Sequence, residues 1–431
     1  MLSKFSTLIY LLLFIIIVVY GQGIKAQPAN EDSKPQRFVV SGYMQPQWEL
    51  GQQAAVLRVG KSREDYQDDT YNRVGIRRGR IKFLYDDGNL GSGGFQFNVI
   101  DKPGINGAQV QIKELYLNVK APWNKLSSLQ AGVFNRPFGF EVNYSTASIE
   151  SPERAMIITR LLPDECDLGG MVVLRPDKYS PLNFMYFQGG LFAGNGINPE
   201  TDNRKDFIGQ LVANKSFGKN LNLGLGISYY YGGVYQTNDS VYTMQDDAFL
   251  LNVSSDNKGA YAKREYIGFD AQIKYKSILG LTQLRGEYVF GTQPGSATNN
   301  CSPSRARLPL FEDTYVRPFS GGYLMLVQDI GKSPFSAVVK YDLYDPNSAL
   351  KGNQIGVADT FTGIADIQYS TLGAGLYWQI TPDIRTTLYY EFITNERTTA
   401  LANHDFMKDY AVDRNDNLLT FRIQYKFCVI R

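Results

Sequence analysis

The sequence predicts an all-β protein, a transmembrane antiparallel β-barrel of about sixteen strands with short periplasmic turns and long extracellular loops. Three observations support this fold class: an export signal with no long apolar run after it, side chains that alternate with a period of two, and connections of alternating length. The composition agrees, because the chain holds 29 Tyr, 25 Phe and 41 Gly. Aromatic residues suit pleated strands, and glycines suit turns and close backbone approaches.

The N-terminus has the features of a secretory signal peptide, which we assign to residues 1–26. Lys4 supplies a short basic start, and the run from Leu8 to Tyr20 is apolar throughout. This run is shorter than the roughly 20 residues that cross a bilayer as a helix, although a membrane-anchoring helix is the alternative. Since no comparable run follows, the exported protein must enter a membrane as a barrel. We assign 27–36 to a short N-terminal segment, 37–427 to the barrel and 428–431 to a C-terminal tail.

Alternation of apolar with polar or glycine residues locates the strands. From Ile267 to Lys276, for example, every second residue is apolar and the residues between are glycine, polar or charged. Such strands have one apolar face and one polar face, as a wall between lipid and water requires. The predicted strands are 37–48, 73–85, 94–101, 109–120, 128–136, 167–175, 183–193, 207–217, 221–231, 264–276, 281–291, 315–330, 334–344, 367–380, 383–395 and 417–427.

The connections between these strands predict how the barrel is oriented. Some are short, such as Phe217–Asn220 and Ser277–Gly280. The long polar connections are 49–72, 137–166, 232–263, 292–314, 345–366 and 396–416. A barrel with periplasmic turns and extracellular loops gives this alternation, whereas a soluble sandwich has no reason to. A propeller is disfavoured because no repeat of about 40 residues is present.

Charge and cysteine content argue against several classes of function. The 44 basic and 42 acidic residues nearly balance, which disfavours a nucleic-acid partner. Cys166, Cys301 and Cys428 have the spacing of no zinc or redox motif, so neither a metal nor a cofactor is expected. A disulfide between Cys166 and Cys301 is conceivable, but three separate thiols fit the odd count better.

The sharpest local signal is a basic stripe, Arg78, Arg80 and Lys82, on one face of a predicted strand. Three cations in a row facing lipid would be strongly destabilising, so the stripe should face the lumen and attract anions. The alternative is that these cations pair with carboxylates of a neighbouring strand, such as Glu114, and only hold the wall together. Tyr85, Tyr275 and Trp378, near strand ends, would belong to the aromatic girdles at the membrane interfaces.

The same alternation places further charges in the lumen, with more cations than anions. This bias favours a weak anion preference in a passive, water-filled channel over a dedicated binding site. The predicted lumen charges besides the stripe are Lys274, Arg285, Lys340, Arg385, Arg422 and Lys426 as cations, and Glu114, Asp270, Glu287, Asp342 and Glu391 as anions.

The third loop, predicted at 137–166, is long enough to fold into the pore and narrow it. Opposed charges across such a constriction set a transverse field that sorts solutes. An ordinary extracellular loop is the alternative. The candidate constriction residues are Arg136, Glu141, Glu153, Arg154 and Arg160.

Four motifs resemble the phosphate-selective porin O and P family: Arg77-Arg78-x-Arg80-x-Lys82, Lys113-Glu114-Leu115-Tyr116, Ala131-Gly132-x-Phe134-x-Arg136-Pro137-Phe138-Gly139 and Glu153-Arg154. The resemblance is close over about 73–175 and diffuse elsewhere. It implies a sixteen-stranded homotrimer whose third loop constricts the pore, with Arg78 and Arg80 guiding phosphate.

The third loop departs from that family. Phosphate-specific members carry lysines at the constriction, whereas 137–166 has none and contains Glu141, Glu150, Glu153, Asp164 and Glu165. We therefore expect a general porin for small anionic or polar solutes, surrounded by lipid in the outer membrane of a Gram-negative cell.

Other functions of a membrane barrel are less well supported. Barrel hydrolases use histidine as a general base, but His404 is the single histidine and no serine or aspartate around it suggests a triad. We therefore expect no enzymatic activity. An energy-coupled receptor needs an N-terminal plug and about 22 strands, for which the chain has no room. An adhesive or structural barrel stays open, because long loops can bind partners.

Overall fold

The computed structural model describes residues 35–60, 70–101, 108–121, 126–303, 308–400 and 405–430. The predicted signal peptide, the N-terminal segment up to residue 34 and His404 lie outside the described residues. Across the described ranges, helices that combine the length and the apolar character needed to span a membrane are not found.

The described residues form eighteen strands and four short helices, with the following bounds. The strands are β1 (Arg37–Gln52), β2 (Thr70–Asp86), β3 (Gly91–Asp101), β4 (Ala108–Lys120), β5 (Ser127–Asn135), β6 (Cys166–Leu174), β7 (Met185–Phe192), β8 (Asp206–Phe217), β9 (Leu221–Tyr235), β10 (Ser240–Gln245), β11 (Ala248–Val253), β12 (Tyr261–Ser277), β13 (Gly280–Gly295), β14 (Thr314–Asp329), β15 (Phe335–Asp345), β16 (Tyr369–Gln379), β17 (Ile384–Asn395) and β18 (Leu418–Ile430). The helices are α1 (Met156–Leu161) and three 3₁₀ turns at Gly352–Gln354, Ile364–Asp366 and Asp405–Tyr410.

Sixteen of these strands close into an antiparallel barrel. Each pairs with its neighbours in sequence, β9 pairs directly with β12, and β18 returns to β1 with Leu419 opposite Leu50. Closure gives the backbone N–H and C=O groups at the first and last strands hydrogen-bond partners, which they need because hydrocarbon offers none. The sixteen predicted strands are confirmed, with ends that differ by a few residues. The hairpin of β10 and β11 was not predicted; it lies in the loop after β9, and β10 runs parallel to the start of β14.

The C-terminal strand is longer than predicted. Cys428, Val429 and Ile430 continue β18 and lie opposite Ser41, Val40 and Val39 of β1. The assignment of 428–431 to a separate tail is therefore wrong for residues 428–430, which belong to the wall.

The outer surface of the wall is apolar. Leu117, Leu225 and Leu324 are more than half exposed, and Tyr85 and Trp378 near the strand ends are also exposed. An apolar surface of this extent is suited to lipid and not to water. This confirms the expected two-sided strands.

The third loop, residues 136–165 between β5 and β6, is folded into the barrel. Its apolar side chains pack on inward-facing residues of β8 to β17, which we call the apolar wall. A barrel of this size encloses more space than its own side chains fill, and the loop occupies part of it. The loop contributes Phe138, Val142, Ala155, Ile157, Ile158, Leu161 and Leu162 to this cluster, and the apolar wall contributes Ile208, Tyr230, Tyr266, Val289, Phe319, Tyr323, Met325, Val327, Val338, Tyr344 and Tyr389.

Candidate functional site

A β-bulge in β2 directs two consecutive arginines into the lumen. Gln45 of β1 lies opposite Arg78, but the next residue, Pro46, lies opposite Ile76, so Arg77 is the extra residue. A bulge re-aims the side chain of its extra residue. Arg77 therefore faces inward beside Arg78, where strict alternation would have put it toward lipid.

A second bulge does the same for a lysine in β4. Gln96 of β3 lies opposite Glu114, and the following Phe97 lies opposite Ile112, which leaves Lys113 as the extra residue. Lys113 is buried, and its ammonium donates to the backbone carbonyl of Asp164 at the end of the third loop. Both bulges thus add a cation to the same part of the lumen.

The basic stripe faces the lumen, and its three cations have different partners. Arg78 forms an ion pair with Glu153 of the third loop (Nη2–Oε2 2.5 Å). Arg80 donates to the uncharged Asn98 (3.3 Å) and Thr146 (2.9 Å), and forms no ion pair within the described residues. Lys82 pairs with Glu114 of β4 (2.5 Å), so the wall-pairing alternative holds for this one member of the stripe.

Glu153 lies at the centre of three guanidinium groups. Its carboxylate accepts from Arg77 (Nε–Oε1 2.7 Å), Arg78 and Arg422 (Nη2–Oε1 3.3 Å). Burial by itself would raise the pKa of this carboxyl, but the positive charges of Arg77, Arg78 and Arg422 outweigh it and hold the pKa well below its usual value. Glu153 is therefore an anion at any physiological pH.

Glu165 at the other end of the third loop has a similar environment. It pairs with Arg154 of the loop (2.7 Å) and with Lys113 (3.4 Å). Burial opposes its ionisation, but the nearby cations, Arg154 and Lys113 foremost, lower its pKa far below the usual range. Glu153 and Glu165 thus hold the two ends of residues 153–165, through ion pairs with cations of the barrel wall.

Most of the other predicted lumen cations hold the third loop in place. Lys340 binds Glu141 (3.2 Å), Arg285 binds Glu150, and Arg385 donates to the backbone carbonyl of Ile149 (2.7 Å). Arg422 also donates to the carbonyl of Pro152 (2.8 Å). Since all four wall cations are buried, they anchor the loop instead of standing free in the lumen.

Two of the predicted lumen anions anchor the loop by its backbone. Glu287 accepts from the N–H of Phe140 (3.3 Å) and of Glu141 (3.1 Å), and Asp342 accepts from the N–H of Met156 (3.4 Å). The turn just before Phe140 requires glycine, because Gly139 has φ +60° and a Cβ there would overlap the Glu287 carboxylate. The Gly139 N–H also donates to Ser228 (2.8 Å).

The remaining predicted site residues lie elsewhere. Arg136 pairs with Asp167 at the start of β6 (3.1 Å), and Arg160 donates to the Cys301 thiol (2.9 Å). Lys274 is half-buried and Lys426 is exposed, both near the periplasmic end. Asp270 accepts from Gln272, and Glu391 binds Arg58 of the first loop, the segment between β1 and β2, through two bonds. The three cysteines are free thiols, so the conceivable Cys166–Cys301 disulfide is not formed.

These contacts leave a basic cavity of about 240 Å³ between β2–β4 and the third loop. Five cationic and three acidic side chains line it, so the cavity has an excess of positive charge. Such a surface concentrates anions and repels cations of the same size. The charged lining residues are Arg77, Arg78, Arg80, Lys113, Arg154, Glu153, Asp164 and Glu165. Within the described ranges, groups of three or more His, Cys, Asp or Glu side chains placed to hold a metal ion are not found.

Sequence reasoning missed Arg77 and Lys113, although the sequence holds a signal for both. The outward apolar residues of β2 change from even numbers at Ile76 to odd numbers at Ile81, and those of β4 make the same change, with Leu115 three residues after Ile112. Such a slip of phase within one strand indicates a bulge. Pro46 in β1 is a further sign, because proline inside a sheet favours bulges.

Solved outer-membrane proteins share this fold. The anion-selective porin from Comamonas acidovorans is 10% identical over 91% of this chain and 100% of its own, with a TM-score of 0.51. OmpF of Salmonella typhi, solved with daunomycin, is 13% identical over 93% and 100%, also at 0.51. OmpT of Vibrio cholerae in its trimer form is 10% identical over 91% and 100%, at 0.50. No protein-family model matches the sequence, and the search of curated proteins found no match to it.

The chain thus has the sixteen-stranded fold of outer-membrane porins. With its apolar outer surface, this fold belongs in the outer membrane of a Gram-negative cell.

Proposed function

We propose that the protein is an outer-membrane porin through which small hydrophilic solutes diffuse passively, with a preference for anions such as phosphate. The observation that carries this proposal is the basic cavity beside the third loop. Its lining has more cations than anions, and the two bulge residues Arg77 and Lys113 account for the excess.

The position of the third loop supports a path along β2–β4. The loop covers the apolar wall, so it excludes water from that side of the lumen. The side of β2–β4 keeps polar and charged residues facing the loop, among them Arg80, Asn98 and Gln111. A hydrated anion therefore finds polar and cationic partners along this side, where the field favours anions.

We further propose a relationship with the phosphate-selective porin O and P family, and a homotrimer as the working assembly. The support is the group of motifs from Arg77 to Arg154. The motif residues that line the basic cavity are Arg77, Arg78, Arg80, Lys113, Glu153 and Arg154. We propose no enzymatic role, because the sequence offers one histidine and no triad around it. Chemical crosslinking in detergent should give a trimer, and assays for lipid or peptide hydrolysis should give no turnover.

Planar bilayers test the channel proposal. In a potassium chloride gradient, the purified protein should give an ohmic current whose reversal potential is displaced toward that of chloride. Replacement of chloride by phosphate should leave a measurable current. A protein that inserts but passes no current, or one whose reversal potential lies toward potassium, would contradict the proposal.

A further inference from the structure

The Glu153 carboxylate occupies the place in the basic cavity that a permeating anion would take. Arg77, Arg78 and Arg422 all donate to it, in the manner in which guanidinium groups bind an oxyanion. We propose that Glu153 is a built-in competitor for these arginines, and that this competition makes the pore distinguish multivalent from monovalent anions. The inference rests on the proposed anion preference and names the residue that sets its specificity.

The three guanidinium groups carry more N–H donors than the Glu153 carboxylate can accept, so donors remain for a second anion. Each guanidinium carries five N–H groups, whereas one carboxylate has about four acceptor positions for all three. Arg77 keeps a quarter of its side chain exposed, and it lines the cavity. Arg80, which forms no ion pair in the described part of the chain, lies next in the same row of the wall. An anion entering the cavity therefore meets free donors beside Glu153.

Glu153 belongs to a loop and not to the wall, so its side chain can move away from the arginines without breaking strand pairing. Its backbone carbonyl accepts from Lys340 (3.3 Å) and from the Ser151 hydroxyl (2.7 Å), so the loop stays attached when the side chain moves. Because its pKa is held low, the side chain competes as a full negative charge at neutral pH.

The charge and shape of the incoming ion decide the competition. Chloride carries one charge and lacks the two oxygens with which a carboxylate binds a guanidinium, so it replaces the carboxylate poorly. Sulfate and phosphate carry up to two charges and several oxygens, so they can bind the arginines and the free donors together. Removal of the competing carboxylate should therefore strengthen binding of the divalent ions most.

The experiment compares wild type with Glu153→Gln in planar bilayers, with chloride current titrated by sulfate. In the variant, the sulfate concentration that halves the chloride current should fall on the order of tenfold, because one competing charge is lost from a buried cluster. Glu265→Gln is the matched control. Glu265 lies on the outer surface, where it accepts from Tyr229 (2.7 Å), so the same substitution there should leave the block by sulfate unchanged.

The outcomes separate the two proposals. If wild type is not anion-selective, the proposed function fails, whatever sulfate does. If wild type and Glu153→Gln are both anion-selective and sulfate blocks them at equal concentrations, Glu153 is no competitor and this inference is wrong. Should Glu153→Gln not assemble, Glu153→Asp serves instead. It keeps the charge but reaches less far, so block should strengthen by a smaller factor, and an unchanged block would again overturn the inference.

Discussion

Arg77 and Arg78 are neighbours in the chain, yet both side chains lie on the inner side of the same strand and bind one carboxylate. The bulge opposite Gln45 and Pro46 makes this possible. It turns a single row of cations into a denser cluster without placing a charge in lipid. The same device, repeated at Lys113, gives the basic cavity its excess of positive charge.

Replacement of Arg77 by Gln should weaken anion preference while the barrel stays intact. The substitution removes one of the five lining cations and two bonds to Glu153. The chloride-to-potassium permeability ratio should fall roughly twofold at moderate salt, where screening limits the effect of one charge. Lys120→Gln is the control, since Lys120 forms an exposed pair with Asp86 near the periplasmic end. Equal ratios in the two variants would show that the bulge residue has no part in selectivity.

Gly139→Ala should loosen the third loop. Any residue other than glycine is strained at φ +60° by about 1–2 kcal/mol, and here a Cβ would also overlap the Glu287 carboxylate. The expected result is a larger and noisier single-channel conductance. Gly218→Ala separates the two effects, because Gly218 has φ +64° but open space around its Cα. Normal conductance in both variants would mean that the Gly139 turn does not position the loop.

Phe138→Ala should detach the loop from the apolar wall. Phe138 is fully buried and packs edge to face on Tyr266, with ring centroids 6.3 Å apart. Truncation of a buried Phe costs about 3–5 kcal/mol, so the loop should become accessible to protease added from the extracellular side. Phe311→Ala, at a side chain that is 93% exposed, should leave cleavage unchanged. Protection equal to wild type in the Phe138 variant would contradict packing of the loop on this wall.

The ion pairs that Glu153 and Glu165 form with the cations around them should withstand mild acid. The pKa values of Glu153 and Glu165 are lowered in the folded protein, chiefly by the cations that outweigh the effect of burial. Groups of this kind contribute stability that is fully present above their unfolded pKa and is lost as the pH falls through the folded pKa. The stability that these two carboxylates give the docked loop should therefore be constant from neutral pH down to about pH 4.5, and changes in conductance that depend on them should occur only below that value. A transition near pH 6 would show that other groups control the loop.

The barrel could be predicted from the sequence because each strand repeats one local rule. Strands that separate lipid from water alternate over eight or more residues, and the sixteen predicted strands all exist. The hairpin of β10 and β11 escaped prediction because its strands have six residues each and lie in a polar loop. Short strands carry too little periodicity to stand out.

The site was predicted only in part, because its geometry depends on contacts between distant residues. Alternation placed Arg78, Arg80 and Lys82 on the correct face, but it could not show that Lys340 and Arg385 bind the third loop. The partners in these contacts are separated by about two hundred residues along the chain. The inward aromatic residues, such as Tyr230 and Tyr266, were also missed, because an expected water-filled lumen gave no reason to look for an apolar wall.

The central claim is that anions pass along the basic side of the lumen and are selected by the cations of β2. The most direct test is the reversal potential of the double variant Arg78→Glu plus Arg80→Glu in a potassium chloride gradient. A shift from the chloride side toward the potassium side is the predicted result, because two cations of the basic cavity become anions. A reversal potential equal to that of wild type, in channels of normal assembly, would contradict the account.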